Sequence, residues 1–168
     1  LAEVEADARR VGLKPEALAP AELARLLPTG AVHQGVALLA DPLEPVALDT
    51  FAAASGGVLV MLDQVTDPQN VGAVFRSAAA FGARGVVLQE RHAPALSGAL
   101  AKAAAGATDR IAHARVVNLS RALESLTAAG WRTVGLDGDA TQSLGEVLDR
   151  RPTVLVLRSE ARRVGKEC

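Results

Sequence analysis

The chain has 168 residues, 49% hydrophobic, 22% charged and 2% aromatic, with a formal net charge of −1. That length fits one medium domain or a small domain joined to part of another, and the near-neutral balance excludes a bulk electrostatic nucleic-acid binder, so any RNA contact must be local. The single Cys168 excludes an internal disulfide framework or a cysteine zinc cage, and no long apolar run or basic-then-apolar start supports a membrane span or a signal peptide. A soluble cytoplasmic protein is therefore expected.

Phe51, Phe75, Phe81 and Trp131 are the whole aromatic set, which leaves the core to Ala, Val and Leu. Such a core suits helices packed on a buried parallel sheet, whose strands read as short aliphatic runs. The first residue is Leu1 and not Met, which points to a missing upstream part. Residues 1–40 offer a helical pattern around Ala21 to Leu27, a turn at Pro28-Thr29-Gly30 and a strand at Gly35 to Ala40, read as the end of a small α/β domain. Asp41-Pro42-Leu43-Glu44-Pro45 predicts a linker, because proline restricts its own backbone and that of the residue before it; residues 41–56 form linker and first helix.

From there the pattern is regular. It predicts a helix over Ala47 to Ala54, a strand at Val58 to Leu62, a helix at Val71 to Phe81 and a strand at Gly85 to Leu88. A helix at Ala95 to Ala105, a strand at Ala114 to Val117, a helix at Leu119 to Ala129 and a strand at Thr133 to Leu136 follow. A short helix near Leu144 and a strand at Thr153 to Leu157 complete the series. Strands alternating with helices imply right-handed crossovers and an α/β fold with a mostly parallel sheet, whose ligands bind at the carboxyl ends of the strands.

The loop after the first of these strands is rich in chemistry. Asp67 can accept amide hydrogen bonds at a helix start and Pro68 lacks the amide that would be orphaned there. Asn70 carries both a donor and an acceptor, and Gly72 leaves room for another backbone or a substrate. Arg76 falls among Val71, Val74, Phe75, Ala78, Ala79 and Phe81, in a helix that reads as apolar on nearly every face. A buried guanidinium needs a partner: it either pairs with a carboxylate or snorkels to solvent, or it points into the cleft and holds a phosphate or ribose hydroxyl. Asn70 has the same two readings, a helix cap or a site residue.

The stretch Val65-Thr66-Asp67-Pro68-Gln69-Asn70-Val71-Gly72-Ala73-Val74-Phe75-Arg76-Ser77-Ala78 resembles motif 1 of the SpoU (TrmH-like) branch of the knotted SPOUT methyltransferases, with Asn, Gly and Arg at the family's spacing. Gly30 to Val36 resembles the segment closing the small substrate-binding domain in the subgroup that methylates a guanosine ribose of large-subunit ribosomal RNA. Lys102 to Ala107 resembles the family's helix end after the second strand. The resemblance covers roughly Gly30 to Leu157.

It implies transfer of a methyl group from S-adenosylmethionine to a ribose 2′-hydroxyl of RNA, and a homodimeric full-length protein without a metal. Arg76 would assist the hydroxyl or its neighbouring phosphate, and Asn70 would orient the site. Leu157 and Ser159 would meet the cofactor and Glu160 would be the acidic residue of the second motif. His33, Gln34, Arg84 and Arg91 join Arg76 as candidate RNA contacts.

The sequence also departs from the family. The second motif there reads Gly, small residue, Glu, Gly, and this chain has Arg158-Ser159-Glu160-Ala161. Residues 158–168 look like translated sequencing-adapter DNA, which predicts a non-native tail after a partial methyltransferase domain at 57–157. The Asn-bearing third motif that completes the trefoil knot is absent, so the fragment itself is expected to bind cofactor poorly and to be inactive.

Elsewhere the expectations are plainer. His33, His92 and His113 lack metal-ligand spacing, Arg110 and Arg115 read as solvated surface or an RNA path, Asp137-Gly138-Asp139 as a turn, and Trp131 as core or interface. A rival reading is a non-catalytic RNA-binding or ribosome-associated α/β module. A dinucleotide-binding oxidoreductase is disfavoured because no Gly-x-Gly-x-x-Gly follows a predicted strand.

Overall fold

The computed structural model describes residues 2–53, 56–96 and 98–159. The chain divides into two compact units, Leu1–Asp41 and Pro42–Cys168.

In the first unit α1 spans Ala2–Arg10 and α2 spans Pro20–Arg25, and neither buries a residue. The amide of Ala31 donates to the Pro28 carbonyl, forming the expected turn. The strand expected at Gly35 to Ala40 is not formed, and no strand occurs among the described residues of this unit. Val36, Leu38 and Leu39 are exposed, Leu39 fully. An apolar run becomes a strand only when a neighbour takes its backbone hydrogen bonds, and none does so here.

The second unit is an all-parallel five-stranded sheet between two helical layers, with β1 at Val58–Asp63, β2 at Gly85–Gln89, β3 at Ala112–Val116, β4 at Arg132–Gly135 and β5 at Thr153–Arg158. Its order is β3-β2-β1-β5-β4, and every pairing is parallel. The strand positions match the aliphatic runs, and the central strands are buried on both faces, which is why they show no alternation.

On one face, α4 (Pro68–Ala80) and α5 (Ala99–Ala104) pack with the 3₁₀ turn Ala107–Asp109 against Val60, Leu62, Val86 and Leu88. On the other, α3 (Leu48–Ala52) and α6 (Leu119–Ala128) cover Leu59, Met61, Val87 and Val154. Trp131 belongs to this second core, where its indole donates to the Ala52 carbonyl at 3.4 Å; each such large side chain contributes about 1.5–3 kcal/mol by leaving water. The short helix α7 (Leu144–Val147) opens with Ser143 and Glu146 bonded to each other, as the sequence around Leu144 suggests.

Helix α4 begins as its first residues dictate. Asp67 is the cap and accepts from the Gln69 amide at 3.0 Å, and Pro68 takes the first helical position. Asn70 is therefore not the cap but a residue of the first turn. Gly72 serves the approach of a second helix: a Cβ there would lie 2.5 Å from the Ala103 Cβ and 2.7 Å from the Leu100 carbonyl oxygen of α5.

Candidate functional site at the carboxyl edge of the sheet

The chain runs from β1 outward through β2 to β3, then crosses to the other side for β4 and returns inward with β5. The order reverses between β1 and β5, and open α/β sheets place their ligands outside the carboxyl ends of the strands at such a point. Here Asp63 and Arg158 face each other in register, Nε to Oδ2 at 3.4 Å, and the Ser159 amide donates to the Asp63 carbonyl at 3.0 Å. Gln64, the next residue, takes a φ of 60° and donates its amide to Gln89 Oε1 at 3.3 Å. This left-handed turn redirects the chain from β1 into the loop that ends at Asp67, and tethers it to the end of β2.

Two cavities open on this edge. The larger, about 840 Å³, runs along β4 under the segment 137–147 and is lined by Gly135, Leu136, Gly138, Ser143, Leu144 and Leu157 among others. Its wall is held from below by Arg132, which donates to the Val147 carbonyl and lies 3.6 Å from Asp149. The Asp149 carboxyl is drawn down to about 2 by its hydrogen bonds with Arg151, helped by the charges of Arg132 and Arg151. The smaller, about 330 Å³, lies on the α6 side among Met61, Asp63, Gln89, Asn118 and Val156. Asn118 caps α6 through the Arg121 amide.

The sequence pointed to Leu157, which lines the larger cavity, but not to the run from Thr133 to Leu144 that forms most of it. The available signal was a polar, glycine-bearing stretch directly after β4, Leu136 to Ser143. Asp137 begins the expected turn, its Oδ1 accepting from the Asp139 amide at 3.1 Å.

Arg76 differs from its expected setting. It is exposed, because the buried face of α4 is confined to Val71, Gly72, Phe75 and Ala78. Among the described residues no carboxylate pairs with it. Asn70 is exposed as well. Six residues apart on a helix, the two stand about 120° apart around the axis and about 9 Å along it, so they share the broad outer arc of α4 without adjoining each other.

The candidate RNA contacts are dispersed. Arg91 lies two residues beyond β2, on the carboxyl edge, and is exposed. Arg84 lies at the opposite edge, where its amide donates to the Val58 carbonyl and its Nε to the Gly56 carbonyl. At about 3.3 Å per residue, the length of β2 separates these two arginines by some 17 Å, so Arg84 is not at the edge that carries Asn70. His33 and Gln34 belong to the first unit, where His33 Nδ1 accepts from the Gly35 amide at 3.3 Å. Arg115, expected at the surface, is half-buried and bonded to backbone carbonyls. Glu160 lies outside the described residues. Among the described residues no group of three or more His, Cys, Asp or Glu could hold a metal ion, and no helix is long and apolar enough to cross a membrane.

Known proteins resemble the chain in sequence and in fold. Over 146 residues the chain is 36% identical to a protein of Mycolicibacterium gilvum (strain PYR-GCK) described as an uncharacterized tRNA/rRNA methyltransferase, covering 84% of this chain and 46% of that protein. A protein of Mycobacterium sp. (strain KMS) with the same description is 39% identical over 137 residues, 79% of this chain and 44% of its own length. The chain thus spans less than half the length of these relatives. Among solved structures, the AdoMet-bound rRNA methyltransferase of Sinorhizobium meliloti superposes with a TM-score of 0.61 at 27% identity, over 70% of this chain and 46% of that one. The AdoMet complex of the SpoU methyltransferase AviRb from Streptomyces viridochromogenes shares the fold, with a TM-score of 0.69 at 24% identity over 94% of this chain and 62% of its own. The pattern of the SpoU rRNA Methylase family matches residues 57–168, from the start of β1 through the carboxyl-edge loop, α4 and the strands that frame both cavities. With two thirds of its length inside that match, the chain belongs to the SpoU rRNA methylase family.

Proposed function

We propose that the protein transfers a methyl group from S-adenosylmethionine to a ribose 2′-hydroxyl of RNA, at a guanosine of large-subunit ribosomal RNA. The observation that carries this reading is a family match spanning the switch point, with the loop from Gln64 to Asp67, the first turn of α4 and the larger cavity on the same edge of the sheet. The choice of ribosomal RNA rests on the resemblance of Gly30 to Val36 to a substrate-domain segment. Action on RNA in the cytoplasm and a homodimeric assembly belong to the same reading. The exposed outer arc of α4, with Ser77, Ala80 and an 89% exposed Phe81, supports a partner there.

The larger cavity fits the cofactor. Its volume lies within the range of small-molecule sites, and Leu136, Leu144, Val147 and Leu157 offer apolar surface for an adenine. Thr141, Gln142 and Ser143 supply polar groups, while Gly135 and Gly138 leave their backbone open, with nothing within 4 Å of where a Cβ would stand. Leu157 and the segment 135–144 would hold S-adenosylmethionine, which when bound supplies the electrophilic methyl; Ser159 follows Leu157 closely enough to join them. Asn70, in the first turn of α4, orients the ribose through its amide. Arg76 holds the phosphate beside the reacting hydroxyl, a contact suited to a planar fork that makes two charge-assisted hydrogen bonds. Glu160 is the candidate base that would accept the proton of the 2′-hydroxyl as its oxygen takes the methyl, with the electron pair of the broken methyl–sulfur bond staying on the sulfonium sulfur, which leaves as a thioether. The first unit, with His33 and Gln34, would belong to the RNA-binding part.

The test is direct. A protein of its relatives' full length that carries this chain is incubated with tritiated S-adenosylmethionine and transcribed ribosomal RNA, beside the 168-residue chain alone, which is expected to transfer nothing, and the product is hydrolysed in alkali. A methylated 2′-oxygen blocks cleavage at its own linkage, so label in alkali-resistant dinucleotides is the expected result. Label in mononucleotides would mean base methylation and would overturn the ribose assignment. RNA binding without transfer in the full-length protein would favour the non-catalytic module.

A further inference from the structure

Arg115 stands on β3 opposite Leu88 of β2, half-buried, and its guanidinium reaches beyond its own strand pair. One terminal nitrogen donates to the Pro94 carbonyl at 2.6 Å and the other is 3.5 Å from the Ala93 carbonyl. Both carbonyls belong to the loop between β2 and α5. That loop leaves β2 with the Glu90 amide donating to the Val116 carbonyl and the Ala93 amide to the Gln89 carbonyl. The forked cation thus holds the middle of the loop, at Pro94, which has no amide with which to anchor itself.

The loop carries Arg91 and His92, both exposed, in its first turn after β2, and among the described residues no carboxylate pairs with Arg91. Gln89, at the loop's foot, accepts from Gln64 at the start of the loop that leads to Asn70. A half-withdrawn guanidinium bonded to neutral carbonyls gains less than one bonded to a carboxylate. Its use here is to fix backbone.

We infer that Arg115 is a positioning residue: its hydrogen bonds to Ala93 and Pro94 hold the β2–α5 loop so that Arg91 stands at the carboxyl edge as a contact for an RNA phosphate. This rests on the RNA-binding reading above and adds to it a specific contact and the residue that presents it.

The experiment uses the whole 168-residue chain, a transcribed RNA hairpin as probe, and fluorescence anisotropy across a salt series. Each lost phosphate contact lowers the slope of log affinity against log salt by roughly 0.7. Arg91→Ala is expected to lower it by that amount. Arg115→Lys, which keeps the charge and loses the fork, is expected to do the same, and the two together should lower it no further. Trypsin cleavage after Arg91 should rise severalfold in Arg115→Lys while cleavage elsewhere in 56–159 stays at wild-type rates. Arg115→Gln provides a second variant if the lysine chain folds poorly.

An Arg115→Lys slope equal to wild type would mean that Arg115 acts by charge alone, and additive effects would mean two independent contacts; either overturns the inference. Should the wild type bind RNA while Arg91→Ala leaves the slope unchanged, the inference fails and the RNA reading stands. No salt-dependent binding by the wild type would remove the RNA reading itself, and the inference with it.

Discussion

Gly72 of α4 and Ala103 of α5 meet so closely that a single added carbon at Gly72 would stand 2.5 Å from the Ala103 methyl. Within a motif whose glycine reads as room for a backbone or a substrate, the backbone of a second helix takes the space. Gly72→Ala gains about 1 kcal/mol of helix propensity and incurs overpacking of about 1–3 kcal/mol. The clash includes the Leu100 carbonyl, which has little freedom to move, so a net loss of about 1–2 kcal/mol is expected by denaturant titration. Ala103→Gly in that background should recover part of it, and an unchanged midpoint for Gly72→Ala would show that the helices can separate at low cost.

Arg76 is exposed, and among the described residues no carboxylate pairs with it. Arg76→Ala should therefore leave stability within about 0.5 kcal/mol. If the guanidinium holds the substrate phosphate, methyl transfer by the full-length protein should fall by about 10²-fold or more. The two measurements divide the readings cleanly: lost stability with retained transfer would make Arg76 a structural residue.

His113 lies buried on β3, edge-on to Phe75 with ring centroids 6.4 Å apart. Burial lowers its pKa below the ordinary value of 6.5, Arg115 lowers it further, and Glu44 partly opposes them. Below 6.5 the unfolded chain then binds more protons at this position than the folded one. The stability due to neutral His113 is present above pH 6.5 and is lost as pH falls through the folded value. Urea midpoints at pH 7.5 and 5 should show this decline, and His113→Gln should make it shallower. Equal slopes for the two proteins would assign the decline to other groups.

Arg84 binds the Gly56 carbonyl, and its side chain lies against Gly57, at the amino edge of the sheet. Arg84→Ala should cost about 1 kcal/mol through that hydrogen bond and leave the salt slope of RNA binding untouched. A drop in slope equal to that of Arg91→Ala would place RNA across the amino edge and overturn this separation.

Much of the second unit was legible because its information is local. Aliphatic runs at Val58, Gly85 and Thr153 announce strands buried on both faces, and Asp67-Pro68 announces the start of α4 by the hydrogen bonds these residues can and cannot make. The same logic failed at Gly35 to Ala40, where an apolar run has no neighbouring strand. It also failed at Arg76, because a stretch rich in Ala and Val looks apolar all round, whereas only the stripe Val71, Phe75 and Ala78 faces the sheet.

The sequence by itself determined the alternation of strands and helices, their parallel pairing and the family, since short-range periodicity and one compact motif carry all three. Only the tertiary structure decided which arginines share an edge: Arg84 and Arg91 flank the same strand yet stand at its opposite ends, and Arg115 turns inward to hold a loop. Such relations depend on where a strand ends and which carbonyls lie within reach of a long side chain, and these distances exist only once residues some 20 to 100 positions apart are folded together.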